Sequence, residues 1–328
     1  MMKMKQLKGI HHVTAITSSA QRIYDYFTNI LGLKMVKKTV NQDDINTYHL
    51  FFADDWGQAG TDMTFFDFKD IHKGVKGSDE ISRIGFRVIN DEAITYWKKK
   101  LNHYKIEYKA LELFNRKMLF FNDFDDQAYA IVSDQDIDGV EGGVAWKKGP
   151  VPDDYAIIGL GPIFIRVNDQ LKMHDVLTNY LDFVLEDEFQ YYGLYEVGPG
   201  GNGAAIIIEN QPGLAPAIQG YGSVHHMAFR IDDMNALNDW IERLNTIGAR
   251  HSGHVDRFYF NSLYTRLYPR ILFEFATEGP GFIDDEESYD HLGTRLALPP
   301  KLRSKRDAIE SYVTPIDTHV KDHQKEFF

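Results

Sequence analysis

The 328-residue chain contains no cysteine, and that absence removes several chemistries together. A disulfide framework, a thiolate zinc site, an iron–sulfur cluster and a cysteine nucleophile are all excluded. Any bound metal must be held by His, Asp, Glu or another oxygen donor. Basic residues are also scarce: 36 Lys and Arg stand against 48 Asp and Glu, a formal net charge of −12. Nonspecific nucleic-acid binding draws its affinity from Lys and Arg at phosphates, so nucleic acid is not an expected partner. No apolar run approaches the roughly 18 residues that would span a membrane as a helix. The N-terminal MMKMKQLKGIHH carries basic residues with no apolar run after them, which does not fit a secretory signal. What remains is ordinary globular composition, 43% hydrophobic and 26% charged, expected to be soluble and cytoplasmic.

The chain repeats itself. Lys8-Gly-Ile-His-His-Val-Thr14 returns as Gly222-Ser-Val-His-His-Met-Ala228, with the second histidines 214 residues apart. Each copy is a short β-prone run followed by an amphipathic helical pattern, at 18–31 and 233–247, closed by Gly32 and Gly248. Ile81-Ser-Arg-Ile-Gly-Phe-Arg-Val88 and Gly161-Pro-Ile-Phe-Ile-Arg-Val167 are weaker copies, with helices expected at 91–105 and 170–181. Short alternating runs follow each helix, at 47–52 and 63–68, 117–121 and 128–132, 194–197 and 204–208, and 258–264 and 270–276. The expected fold is therefore α+β: four tandem βαβββ modules forming two domains of curved mixed sheets with helices outside. The predicted domains are 1–145 and 155–300, separated by the Gly/Pro-rich stretch 142–154, with a charged tail at 301–328 that holds a helix at 303–312 and a loose end.

The two His-His pairs, at matching places in matching modules, are the leading candidates for chemistry. A lone strand histidine is ordinarily structural, but its recurrence at equivalent positions makes that reading less economical. Strand alternation lets only one histidine of each pair point into a cavity. Glu274 is the third candidate. It lies on the strand face opposite Ile271, Phe273 and Phe275, and a carboxylate in so apolar a strand needs a metal, a cation or a hydrogen-bonding partner unless it faces solvent. Two imidazoles and one carboxylate would form a facial triad with three coordination positions open, the arrangement of non-haem Fe(II) enzymes that use O₂. Mn(II) suits the same ligands, and Zn(II) is not excluded.

These motifs resemble the vicinal oxygen chelate (glyoxalase/bleomycin-resistance/extradiol dioxygenase) superfamily, and within it the dioxygenases that open hydroquinone-type rings. The resemblance spans nearly the whole chain. It is carried by Ile10-His-His-Val13, Val224-His-His-Met-Ala-Phe229, Asp256-Arg-Phe-Tyr-Phe-x-Ser-x-Tyr264, Leu272-Phe-Glu-Phe-Ala-Thr277, Gly279-Pro-Gly281 and Leu298-Pro-Pro300. It implies that His12, His226 and Glu274 hold Fe(II), with Mn(II) as the alternative metal. It implies that His11, Arg257 and Tyr264 surround the ring, orient its hydroxylate and assist proton transfer. The bland alternatives are an Arg257 paired with Asp256 or Glu278, and a Tyr264 that only packs. One departure is visible: the group usually has Pro-Gly-Gly before the Glu strand, whereas this chain has Tyr268-Pro-Arg-Ile271.

The expected activity is Fe(II)-dependent cleavage of a hydroquinone- or catechol-like ring with O₂. The expected partners are a small aromatic substrate and O₂, with a homo-oligomer left open. A glyoxalase-like isomerase or lyase on Zn(II) or Ni(II) is the first alternative. It would call for another carboxylate, for which Asp67 in Phe65-Phe-Asp-Phe68 is the available residue. A non-catalytic aromatic-binding resistance protein is the second. His251-Ser-Gly-His254 has metal-like spacing but is expected to be a solvated loop, Gly198-Pro-Gly-Gly-Asn-Gly203 a hairpin turn, and the acidic run 284–287 another solvated loop.

Overall fold

The computed structural model describes residues 6–283, 286–319 and 323–328. All four repeats are present. Module 1 comprises β1 (Ile10–Ile16), α1 (Ala20–Asp25) extended by a π turn (Tyr26–Ile30), β2 (Lys34–Val40), β3 (Tyr48–Ala53) and β4 (Asp62–Phe66). Module 2 comprises β5 (Glu80–Val88), α2 (Asp91–His103), β6 (Tyr108–Leu113), β7 (Arg116–Asn122) and β8 (Ala128–Ser133). Module 3 comprises β9 (Ile157–Val167), α3 (Gln170–Asp175) extended by a π turn (Val176–Tyr180), β10 (Val184–Phe189), β11 (Tyr192–Glu196) and β12 (Ala205–Asn210). Module 4 comprises β13 (Ser223–Ile231), α4 (Met234–Thr246), β14 (His251–Asp256), β15 (Phe260–Tyr268) and β16 (Ile271–Pro280). None of the helices is long and apolar enough to cross a membrane.

Each of the four module helices begins where a short polar side chain accepts a first-turn N–H: Ser19, Asn90, Asp169 and Asp233. The π turns of modules 1 and 3 share a detail. Thr28 Oγ1 donates to the Tyr24 carbonyl at 2.7 Å, and Thr178 Oγ1 to the His174 carbonyl at 2.8 Å. Modules 2 and 4 instead carry uninterrupted 13-residue helices. Odd modules thus match each other and even modules match each other, as expected if the duplicated unit is a pair of modules.

In every module the first and last strands pair in parallel and the others antiparallel, which makes the sheets mixed. The two curled eight-stranded sheets run β14-β15-β16-β13-β1-β4-β3-β2 and β10-β11-β12-β9-β5-β8-β7-β6. Their grouping differs from the halves of the chain: the stretch 142–154 separates modules 1 and 2 from 3 and 4, but module 1 shares a sheet with module 4 and module 2 with module 3. The cause lies in the first strands. Each would leave one edge of backbone N–H and C=O groups unpaired, and the antiparallel β1·β13 and β5·β9 pairings close those edges across the two halves. Phe27 ties the sheets together, packing on Phe52 and Phe65 of one and on Phe86 and Tyr129 of the other.

The four outermost strands, β2, β6, β10 and β14, had no counterpart among the sequence-predicted runs. They are polar or charged, as unpaired edges tend to be, so their hydrophobic alternation is weak. β14 holds His251 and His254, which correct the expected loop: their Nε2 atoms lie 3.0 and 2.8 Å from the amide oxygens of Asn245 and Asn261. The 198–203 segment does link the antiparallel pair β11 and β12.

The described residues of the tail are docked, not loose. After α5 (Pro300–Arg303) and α6 (Arg306–Tyr312), the last residues return to α2, where Glu326 accepts the Tyr104 hydroxyl at 2.6 Å and Phe328 packs on Tyr96. Asp284 and Asp285 of the acidic run lie outside the described residues, while Glu286 and Glu287 depart from the solvated reading. Glu286 pairs with Arg303 and Arg306, and buried Glu287 lies 2.6 Å from fully buried Lys37 of β2. Removing one member of such a pair strands the other charge. Glu287→Ala should destabilise the protein by about 3–5 kcal/mol in urea unfolding, and the joint change Lys37→Met with Glu287→Leu should cost much less. Equal costs for the single and joint variants would contradict this.

Candidate metal centre

Near the middle of the first sheet, three buried side chains converge. His12 Nε2 lies 3.2 Å from His226 Nε2 and 3.1 Å from Glu274 Oε2, and His226 Nε2 lies 2.9 Å from the same oxygen. The strands dictate this triangle. In β1·β13, Thr14 stands opposite His226 and His12 opposite Ala228, while the parallel pairing of β13 with β16 sets Glu274 beside Ala228. The three residues form a metal-competent cluster.

The leading histidine of each pair fixes the ring behind the triangle. Burial pushes the His11 pKa down to about 3, so this imidazole is neutral. Its Nε2–H donates to the Thr277 carbonyl at 3.1 Å, which leaves Nδ1 to accept the Nδ1–H of His12 at 2.9 Å. His12 Nε2 therefore presents a lone pair. His226 is held in the same way, its Nδ1 2.8 Å from that of His225, which burial also keeps neutral, at about 3. The Ser262 hydroxyl donates to Glu274 Oε1 at 2.5 Å, and Glu274 Oε2 is buried without a hydrogen-bond donor.

The Thr14 hydroxyl also lies 3.1 Å from His226 Nε2. With the far ring nitrogens protonated, the two Nε2 atoms and Glu274 Oε2 are three acceptors facing one another, a costly arrangement unless a cation joins them. Their spacing fits one: cis ligands at about 2.1 Å from a first-row divalent ion stand about 3 Å apart. Hydrogen bonds to the far ring nitrogens are also what orients metal-binding imidazoles.

Strand register shows why the cluster has three members. The twofold relation that carries His12 onto His226 carries Thr14 onto Ala228, and the parallel partners Thr64 of β4 and Glu274 of β16 onto each other. Thr64 thus occupies the place of a fourth carboxylate. Its hydroxyl lies 2.7 Å from that of Thr14 and 3.0 Å from His49 Nε2. Asp67, the carboxylate expected to serve a four-ligand site, instead accepts the Tyr48 backbone N–H at 2.6 Å.

The triangle opens into a cavity of about 310 Å³ walled by aromatic and polar groups, among them Phe51, Phe66, Tyr259 and Phe260. Each half of the chain matches the model for the Glyoxalase/Bleomycin resistance protein/Dioxygenase superfamily, over residues 9–126 and 159–280. The chain belongs to that superfamily. It is 38% identical to the candidate ring-cleaving dioxygenase MhqA of Bacillus subtilis (strain 168), over 95% of this chain and 99% of that one. It is 28% identical to a chlorohydroquinone/hydroquinone 1,2-dioxygenase of Sphingobium indicum, over 93% and 95%. The crystal structure of a candidate dioxygenase from B. subtilis superposes with a TM-score of 0.89 at 32% identity, over 97% of this chain and 99% of that one.

Within this superfamily fold, the sequence-predicted residues do not all face the cavity. His12, His226, Arg257 and Tyr264 line it. His11 lies behind His12 and is not among the lining residues, because both of its ring nitrogens are engaged there. Arg257 pairs with neither Asp256 nor Glu278: it reaches Asp43 at 2.9 Å and donates from Nε to the Tyr264 hydroxyl at 3.1 Å. Burial, reinforced by the Glu274 charge, pushes the Tyr264 phenol up, so it stays protonated. Sequence reasoning did not single out His225, His49, Thr14, Thr64 or Ser262. His225 had a signal, its equivalence to His11; Thr64 emerges only from strand register.

The hydrogen bond behind His12 has a measurable consequence. His11→Ala should weaken divalent-metal affinity about 10- to 100-fold, and Glu274→Gln should abolish stoichiometric loading, both read by titration with metal-analysis controls. Unchanged affinity in His11→Ala would show that His12 is oriented without it.

Proposed function

We propose that this protein is an Fe(II)-dependent dioxygenase that opens a hydroquinone- or catechol-like ring with O₂, Mn(II) being the alternative metal. The observation that carries the reading is a buried His12–His226–Glu274 cluster in which Thr64 holds the place of a fourth carboxylate and which opens into an aromatic-walled cavity. His12, His226 and Glu274 are the residues to hold the metal, which when bound supplies Lewis acidity toward a phenolate and a redox connection to O₂. The hydroquinone-cleaving relative supports this substrate class.

The chain's own residues divide the remaining work. Phe51, Phe66 and Phe260 shape a slot for a flat ring, and the apolar cluster of Val36, Phe282 and Leu292 behind Phe51 and Tyr259 excludes water from that side. His225, on the cavity wall, is placed to hydrogen-bond an oxygen of an entering phenol. Arg257 stays charged: burial disfavours its cation, but Tyr264 and Asp43 more than compensate. It can balance negative charge developing on the ring oxygens. Tyr264, still protonated, donates to an oxygen of the substrate. His11 acts through His12 and is a positioning residue.

Protein reconstituted anaerobically with Fe(II) should consume O₂ with at least one ring from a panel of hydroquinones and catechols. Tyr264→Phe should lower kcat about 100-fold or more with metal content intact. Thr64→Glu should retain or tighten metal binding while ending oxygen uptake, because the added carboxylate fills an open position. Iron-loaded protein that consumes no oxygen with any ring overturns the proposal.

A further inference from the structure

A second cleft, of about 200 Å³, shares His225 and Leu272 with the cavity. Its other walls include Arg266 of β15, Arg270 of the β15–β16 turn, and Gln219. Arg266 is exposed and has no hydrogen-bond or ion-pair partner among the described residues. Arg270 makes one weak polar contact, from Nη1 to the Ala217 carbonyl at 3.4 Å. Its backbone sits at φ +67°, a conformation that glycine adopts freely and a side-chain-bearing residue adopts at a cost.

The carboxylates of the cleft are committed elsewhere. Asp79 accepts the Asn168 N–H at 3.0 Å and the Tyr268 hydroxyl at 3.1 Å. Glu80 is held by Arg166 and the Gly77 N–H, both at 3.1 Å. In a chain of net charge −12, two guanidinium groups without a carboxylate partner among the described residues line one cleft beside the proposed ring site.

We propose that this cleft is an anion subsite of the ring site: a ring seated in the cavity extends a carboxylate- or sulfonate-bearing arm past His225 and Leu272 to Arg266 and Arg270. Arginine suits the task because its planar fork binds such groups through paired N–H donors. The inference rests on the cavity being a hydroquinone-type site, and it narrows the substrate to rings that carry an acidic side arm.

The test compares methylhydroquinone with hydroquinones bearing carboxylate arms of two to four carbons. Anaerobic binding to the iron-loaded protein is measured by calorimetry, and turnover by oxygen uptake. The native protein should bind the best acid-bearing ring about tenfold tighter than the neutral one, and the preference should shrink between about 0.05 and about 0.5 M salt. Arg266→Gln with Arg270→Gly should remove the preference and leave methylhydroquinone binding and turnover unchanged. Arg270→Gly relieves a strained position, so misfolding would not explain the loss. Equal affinities in the native protein, a preference that survives the double variant, or no binding of any ring overturns the subsite. If methylhydroquinone is consumed but no acid arm is preferred, the subsite fails and the ring-cleavage reading stands. If the arm-dependent preference is present but no ring is consumed, the reverse holds.

Discussion

His12 and His226 are 214 residues apart, and they meet because β1 and β13 pair antiparallel through the middle of one sheet. That pairing sets Thr14 against His226 and His12 against Ala228, and the parallel partners β4 and β16 then deliver Thr64 and Glu274 to equivalent places. A slip of one residue would turn every one of these side chains to the opposite face. The register is protected by the apolar residues between the polar ones: Val13, Met227, Phe273 and Phe275 point the other way, into the shared core, and are fully buried. Each strand is thus read on both faces, with packing on one specifying chemistry on the other.

Once the strands are placed, hydrogen bonds decide the character of the cluster. Both leading histidines are neutral because they are buried, and each touches the ring behind the triangle through Nδ1. On the His12 side, the Thr277 carbonyl settles which nitrogen keeps its proton. The set of converging atoms is carboxylate oxygen and imidazole nitrogen without sulfur, which suits hard or borderline divalent ions.

Much of this was legible in the chain, and the gaps have physical causes. The doubled His-His pair marked the strands that deliver the two clustered imidazoles, and the alternation Ile271, Phe273, Phe275 isolated Glu274. Strand alternation also foretold that one histidine of each pair would reach the cluster, although not that its neighbour would hydrogen-bond it, nor that His225 would line the cavity beside His226. The outer strands were hidden because edges carry charge in place of alternating apolar residues. Lys34, Lys37 and Lys38 of β2 suggest an exposed surface, yet all three are buried because the segment after β16 closes over them, Ala297 donating its N–H to the Lys38 carbonyl. The grouping of modules 1 with 4 and 2 with 3 is a long-range fact that no local pattern records. Single residues such as His49 and Thr64 gain meaning only when register shows them to be the counterparts of Ser262 and Glu274.

The same register, carried into the second sheet, explains why one site exists where the duplication could have made two. There β5·β9 takes the place of β13·β1, and the positions of His12, His226 and Glu274 fall to Pro162, Arg83 and Ala130. No metal could be held by that set. Arg83 lies over the Phe120 ring at 3.8 Å, and Phe164, Ile207, Ala130 and Leu194 fill the space as a closed apolar cluster. Converging buried acceptors destabilise a fold by several kcal/mol until a cation joins them, whereas a filled cup contributes apolar burial with no such cost. Duplication lets the two demands separate, one sheet packed for stability and the other left open for chemistry. Because Phe27 and the core around it join both sheets, the packed one supports the other, so the acceptor cluster can be maintained without the metal being what holds the protein together.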